Sequence, residues 1–235
     1  YEDRVVLEQG GTAINGPHQG ALVDTASGGW WFVHFQDADV YGRIVHLQPV
    51  EWRDDWPLMG RDQSGKPVMH FEKPCINGTL QMAIPQTSDE FDSDKLGPQW
   101  QWNANHQDHW CSLTARQGWL RLFPQTVSDG NLATTPNLLL QKFPTRSFTV
   151  ETLMSFAPQS DGDEAGLVVM GRTHAALAVR RAGGNNQIVF RNNGEDEVIG
   201  TFSGHSIKLR VEVADGGLCA FCFAEENGFT AMPET

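Results

Sequence analysis

The sequence predicts an all-β protein, a blade-like meander followed by a sandwich of the jelly-roll type. Three observations lead there. Short apolar runs are divided throughout by Gly, Ser, Asp and Pro, the residues that turn a chain back on itself. Apolar and polar residues alternate in "SFTVETLMSF" and "IKLRVEVADG", the period of a strand with one buried face. No stretch carries an apolar repeat that calls for a helix of ordinary length.

The first part contains "GALVDT", "WWFVHFQD", "GRIVHLQPVEW" and "PVMHFEKP", short runs spaced as in an antiparallel meander, with "SGG" as a hairpin turn. This strand–turn–strand pattern fits propeller blades. Residues 1–80 nevertheless hold material for fewer than two blades of four strands, too little to close a ring. The Pro/Ser/Asp-rich stretch "IPQTSDEFDSDKLGPQW" then reads as a connector, and a domain boundary is expected near residue 86, giving domains 1–86 and 87–235. Beyond it, strands are expected in "QWNAN", "WCSLTARQGWLRLFP", "EAGLVVMGRTHAALAVRR", "QIVFRNN" and "HSIKLRVEVADGGLCAFCFAE". The turn signals "AGGNNQ", "RNNGED" and "ADGG" separate several of them.

Charge and composition exclude some functions. The chain has 29 acidic and 17 basic side chains, a net charge of −12, and no segment gathers its Lys and Arg. Such a surface repels a phosphate backbone, so no nucleic-acid partner is expected. No apolar run reaches the roughly 18 residues a membrane helix requires, so no membrane partner is expected either. The eight tryptophans point elsewhere, because aromatic faces stack on the C–H faces of sugar rings. A neutral carbohydrate is the ligand class these features favour, although core packing is the ordinary role of any single tryptophan. The cysteines are Cys75, Cys111, Cys219 and Cys222. In the strand-like "LCAFCFA" the sulfurs of Cys219 and Cys222 fall on opposite faces, so they read as buried thiols rather than as a metal pair.

Several long motifs together carry a family resemblance. "INGPHQGALVDT", "WWFVHFQD" and "YGRIVHLQPVEWRDDWP" resemble the last part of the five-bladed propeller of glycoside hydrolase family 43, the β-xylosidases and α-L-arabinofuranosidases. "FDSDKLGPQWQWNAN", "FTVETLMSF", "AGLVVMG" and "LRVEV" resemble the concanavalin-like sandwich that follows it in the xylosidase branch. The resemblance implies an all-β fold: a remnant of a five-bladed propeller, then a jelly-roll, concanavalin-like β-sandwich that continues by a strand or two beyond the last residue. It also implies inverting hydrolysis with an Asp base, a Glu acid and a second Asp that adjusts the acid, all from early blades. No such motif precedes residue 14, and Ile14-Asn15-Gly16-Pro17-His18 is similar to the acid motif with Asn in the acid's place.

The resemblance assigns roles to single residues. His18 matches the central histidine beneath the sugar, which holds a water or a metal ion on the propeller axis; imidazole suits both. Arg43 matches the arginine that reaches the sugar hydroxyls, and its planar fork of donors suits two adjacent hydroxyl groups. Gln19 and Gln36 are expected to line the same pocket. Trp30 and Trp31 point to opposite faces of one strand, so at most one of them, taken as Trp30, meets the sugar. If this chain hydrolyses glycosides by itself, Asp37 and Glu72 are the pair expected to act as acid and base. In "APQSDGDEAGLV" (157–168), matched to a loop over the propeller mouth, Asp161, Asp163 and Glu164 offer the hard oxygens that suit Ca²⁺. No other cofactor is required.

The expected function is that of a glycoside hydrolase-derived chain acting on xylan- or arabinoxylan-type oligosaccharides. Two alternatives stand beside it: a non-catalytic carbohydrate-binding sandwich, and a truncated glycanase with a newly formed site. Propeller strands with unpaired edges are expected to make the chain self-associate.

Overall fold

A computed structural model describes residues 3–14, 16, 19–60, 65–74, 81–127, 130–225 and 228–232. The chain forms two compact units, Tyr1–Met82 and Ala83–Thr235. Regular structure among the described residues consists of strands and three short 3-10 turns, and none of it crosses a membrane as a helix.

The first unit is a four-stranded antiparallel sheet of β1 (Gly20–Asp24), β2 (Trp30–Asp37), β3 (Arg43–Arg53) and β4 (Trp56–Met59), in sequential order. This up-and-down meander is the shape of one propeller blade. Local chemistry sets each turn. Between β1 and β2, Gly28 takes φ +83°, which an L side chain resists, and Thr25 N–H donates to Gly29 O at 2.8 Å. Between β3 and β4, Asp54 and Asp55 both take positive φ, 51° and 65°, and these two residues alone close the hairpin Arg53↔Trp56. Asp tolerates that region better than most side chains, and the turn's twist matches that of the flanking strands. Pro57 sits in β4, an edge strand, where a missing N–H is tolerated. The N-terminal segment runs beside β4, with Met59 N–H donating to Val6 O at 2.9 Å.

Strand alternation divides this sheet into two faces. Trp31, Val33, Phe35 and Asp37 share one face with Arg43, Val45 and Leu47. Trp30, Phe32, His34 and Gln36 share the other with Ile44, His46, Gln48 and Val50. The second face holds His34 and Gln48, the two buried polar side chains of the described residues. Gln48 replaces a strand neighbour: its Oε1 accepts from Val68 N at 2.8 Å and its Nε2 donates to Val68 O at 3.3 Å.

In the second unit, short strands come first: β5 (Gln101–Trp102), β6 (Cys111–Ser112), β7 (Arg121–Leu122) and β8 (Leu139–Leu140). β5 pairs with β8, and β6 with β7. Two four-stranded antiparallel sheets follow. One has the order β10 (Glu164–Met170), β11 (His174–Ala182), β12 (Asn185–Asn192), β13 (Glu195–Phe202). The other runs β16 (Thr230–Ala231), β15 (Cys219–Ala224), β14 (Ser206–Val213), β9 (Phe148–Ser155). Two of the three hairpins of the β10–β13 sheet close with two-residue turns. Gly183-Gly184 (φ 58° and 80°) links β11 to β12, and Asn193-Gly194 (φ 50° and 87°) links β12 to β13. Both residues of such a turn need positive φ, which is why Gly-Gly and Asn-Gly occur there.

The sandwich core forms where alternating side chains of the two sheets meet. Leu177, Val179, Ile188 and Phe190 come from one sheet, and Ile207, Leu209, Val211 and Phe221 from the other. Phe190 and Phe221 meet edge to face, centroids 5.8 Å apart. Burial of each such side chain contributes about 1.5–3 kcal/mol. Cys219 joins this core, while Cys222 lies on the opposite face of β15, opposite Arg210 in register. Neither forms a disulfide, nor does Cys111; Cys75 lies outside the described residues.

Candidate functional site

β2 and β3 place a small open cavity of about 270 Å³ at the end of the first sheet, lined by Gln19, Phe35, Asp37 and Arg43. Asp37 and Arg43 are direct cross-strand partners, and Phe35 lies one same-face step back along β2. Gln19 immediately precedes β1, which pairs with the other side of β2. Three residues flagged in the sequence, Gln19, Asp37 and Arg43, thus meet in one pocket.

The connection between β2 and β3 shapes the pocket. Its 3-10 turn, Asp39–Tyr41, is closed by Ala38 N–H donating to Gly42 O at 2.7 Å. Asp39 and Gly42 take φ values of 54° and 72°. The Asp37 carboxylate holds this turn from its start, because its Oδ1 accepts the Asp39 N–H at 3.1 Å. Arg43 makes no ion pair among the described residues; its guanidinium carbon lies 4.7 Å from the centre of the Phe35 ring, over its face. Among the described residues Asp37 is the one carboxylate that lines the pocket, and Arg43 and Gln19 are the side chains there that carry N–H donors.

Other predicted residues lie elsewhere. Glu72 is exposed in the strandless segment 65–74 and does not line the cavity. Trp30 faces away from Arg43 and packs edge to face on Trp52 at 5.3 Å. Gln36 is on that same far face, donating to Ala13 O at 3.1 Å and meeting His46 Nε2 at 3.1 Å. The expectation for Trp30 and Gln36 gives way for one reason: the register Asp37↔Arg43 puts odd-numbered β2 residues, not even ones, beside Arg43. Trp31 is on the pocket's face but buried, packed edge to face on Phe71 at 5.6 Å. Asn15 and His18 lie outside the described residues.

In the sandwich, the acidic loop is tied to its own neighbours. Asp161 accepts from the N–H groups of Gly183 and Gly184 at 2.9 and 3.2 Å. Asp163 accepts from Gln159 N and Ser160 N at 2.7 and 3.1 Å. Glu164 accepts Arg191 Nη1–H at 2.8 Å. These carboxylates anchor the loop to itself, to the β11–β12 turn and to β12. Among the described residues no group of three or more His, Cys, Asp and Glu side chains is placed to hold a metal ion.

Two features were not read from the sequence. Phe35 is the aromatic floor beneath Arg43; strand alternation from Asp37 was the available signal. The second is a polar row on the far face. His34 is buried, with no hydrogen-bond partner at Nε2, and it faces His46 across the strands. Burial pushes both imidazoles below the usual histidine range.

The fold is an all-β, blade-like sheet with a two-sheet sandwich, and the site is a small open pocket that carries a guanidinium. Residues 88–235 match the β-xylosidase C-terminal concanavalin A-like domain, and the chain belongs to that family. A putative β-xylosidase of Xylanibacter ruminicola is 49% identical over 147 residues, covering 60% of this chain and 27% of that protein. A non-reducing end α-L-arabinofuranosidase of Bacteroides ovatus is 29% identical over 189 residues, covering 77% of this chain and 35% of the relative. Among solved structures, a bifunctional GH43-CE protein of Bacteroides eggerthii superposes with a TM-score of 0.77 at 28% identity, covering 99% of this chain and 30% of that one. A xylan β-1,4-xylosidase of Bacillus halodurans gives 0.78 at 22% identity, covering 99% and 48%. The matched part is 24–35% of the length of the first three curated relatives.

Proposed function

We propose that this chain works as part of a glycoside hydrolase acting on xylan- or arabinoxylan-type oligosaccharides, of the β-xylosidase or α-L-arabinofuranosidase type. Its first sheet supplies a sugar-binding wall. The observation that carries this reading is the meeting of Gln19, Asp37 and Arg43 in one pocket, with the Arg43 donors not taken by an ion pair. A guanidinium offers parallel N–H groups in one plane, which match two neighbouring hydroxyls of a pentose ring. The family membership of residues 88–235 and the names of the relatives support the substrate class.

Inverting hydrolysis needs an acid and a base about 6.5–9.5 Å apart, with a water between base and sugar. Among the described residues the pocket offers one carboxylate, and one oxygen of Asp37 is held by the Asp39 N–H. In this reading Asp37 shapes the turn, Arg43 and Gln19 bind the sugar, and the proton transfers belong to carboxylates outside the pocket. The same observation favours a second reading, a carbohydrate-binding chain with no hydrolysis of its own.

A titration of xylotriose, arabinotriose and cellotriose into the purified chain tests the proposal. Binding of the pentose oligosaccharides in preference to cellotriose, lost in Arg43→Ala, is the expected result. Equal binding of all three, or binding indifferent to Arg43→Ala, contradicts it. Turnover of an aryl β-xyloside by the chain, abolished in Asp37→Asn or Glu72→Gln, would contradict the assignment of the proton transfers.

A further inference from the structure

We propose that Phe35 is a positioning residue for Arg43: its ring holds the guanidinium from one face so that the in-plane N–H groups stay available to a sugar. This rests on the reading that the pocket binds a sugar through Arg43.

The argument begins with register. Asp37 stands directly opposite Arg43, and Phe35 opposite Val45, so Phe35 is the diagonal same-face neighbour of Arg43. Diagonal neighbours on an antiparallel pair are within reach of an aromatic ring and a long side chain. Two partners therefore compete for the guanidinium, a carboxylate straight across and a ring on the diagonal.

The carboxylate is drawn aside. Asp37 Oδ1 accepts the Asp39 N–H at 3.1 Å, in a turn whose shape is held by positive φ at Asp39 and Gly42. No ion pair forms between Asp37 and Arg43. The ring takes the position instead, with Arg43 Cζ over Phe35 at 4.7 Å from its centre, inside the roughly 6 Å reach of a cation–π contact.

The two partners differ in what they consume. An ion pair uses the edge of the guanidinium, where its five N–H donors point. A ring uses the face, where there are none. Holding Arg43 by its face restricts a flexible side chain in advance of binding, and the entropy of ordering it is then not lost when the sugar arrives. Gln19 lines the same cavity and adds an amide donor and acceptor beside the fork.

The experiment uses the whole chain with xylotriose as the probe, and the variants Phe35→Leu, Phe35→Trp, Arg43→Ala and Phe35→Leu/Arg43→Ala. Loss of a contact of about 0.5–1 kcal/mol corresponds to a roughly two- to five-fold weaker Kd. Phe35→Leu is expected to weaken binding by that factor and to lower the Arg43 Nε–H order parameter by NMR, while Phe35→Trp retains both. In the Arg43→Ala background Phe35→Leu is expected to add nothing. Wild-type binding in Phe35→Leu, with an unchanged order parameter, overturns the positioning role and leaves the sugar-binding reading intact. A further loss from Phe35→Leu on top of Arg43→Ala overturns it as well. A fall in the order parameter without any xylotriose binding by the wild type overturns the sugar-binding reading, and the proposed role in binding with it. If Phe35→Leu unfolds the sheet, the order parameter and Kd of Phe35→Trp decide alone: retention of both supports the proposal, and loss of either overturns it.

Discussion

His34 and His46 face each other across β2 and β3, with ring centroids 5.3 Å apart and 37° between their planes. Phe32 stacks on His34 at 5.4 Å, and the His34 Nε2 has no hydrogen-bond partner. Burial is the main reason that both imidazoles protonate less readily here than in water.

This pair makes stability fall on the acid side. The folded pKa values lie below the unfolded value of about 6.5, so the unfolded chain binds protons that the folded chain refuses. Above that pH both states are neutral and the pair contributes nothing. As pH falls through about 6.5 towards the lowered folded values, stability is lost. His34→Gln is expected to flatten the fall in Tm between about pH 7 and 5 relative to wild type. Parallel Tm–pH curves for the two proteins would refute this.

Arg191 is the centre of an ion cluster on the outer face of the sandwich. It donates to Asp196 at 2.6 and 3.0 Å and to Glu164 at 2.8 and 3.2 Å, with 12% of its side chain exposed. The Arg191 hydrogen bond, first among its causes, holds the Asp196 carboxyl below the usual range. Arg191→Met leaves two half-buried carboxylates with Arg180 alone, and is expected to cost about 2–4 kcal/mol. Adding Glu164→Gln is expected to recover part of that loss, as chemical denaturation of both variants will measure.

Gly20 is required by close approach rather than by its φ. A Cβ at this position would run into the Phe32 ring and the Val33 carbonyl oxygen, and a backbone oxygen held in the sheet cannot move aside. Gly20→Ala is expected to lower stability by about 1–3 kcal/mol. The same change at Gly11, where a Cβ meets nothing within 4 Å, serves as the control and is expected to be neutral.

The first sheet shows apolar side chains to solvent on both faces: Val45 and Leu47 on one, Ile44 and Trp52 on the other. A propeller blade normally covers both faces with neighbouring blades. The chain is therefore expected to self-associate at micromolar concentration, and Val45→Asp to shift it towards monomer. A single monomeric species of the wild type by sedimentation would contradict this.

How much of this was legible depended on whether the signal was local. Asn193-Gly194 and Gly183-Gly184 announced their hairpins because positive φ is a property of the residue itself. Gln19 and Arg43 were given sugar-binding roles by resemblance; what the fold adds is their placement at one cavity, which depends on how β1, β2 and β3 pair. Trp30 and Gln36 went to the wrong face because parity relative to Arg43 is set by pairing between strands, which no single strand reveals. Phe35 was missed since an aromatic in an apolar strand reads as core. Asp161 and Asp163 suggested calcium by composition, yet the Gly183 and Gly184 amides that occupy Asp161 come from a turn over twenty residues away. Arg191 lies 27 residues from Glu164, so only the folded sheet joins them.

The central claim, a pentose-binding pocket built on Arg43, is tested most directly by calorimetric titration of xylotriose into wild type and Arg43→Ala at matched Tm. The account predicts saturable binding by the wild type that is lost in the variant. Equal heats from both proteins, or none from the wild type, would contradict it.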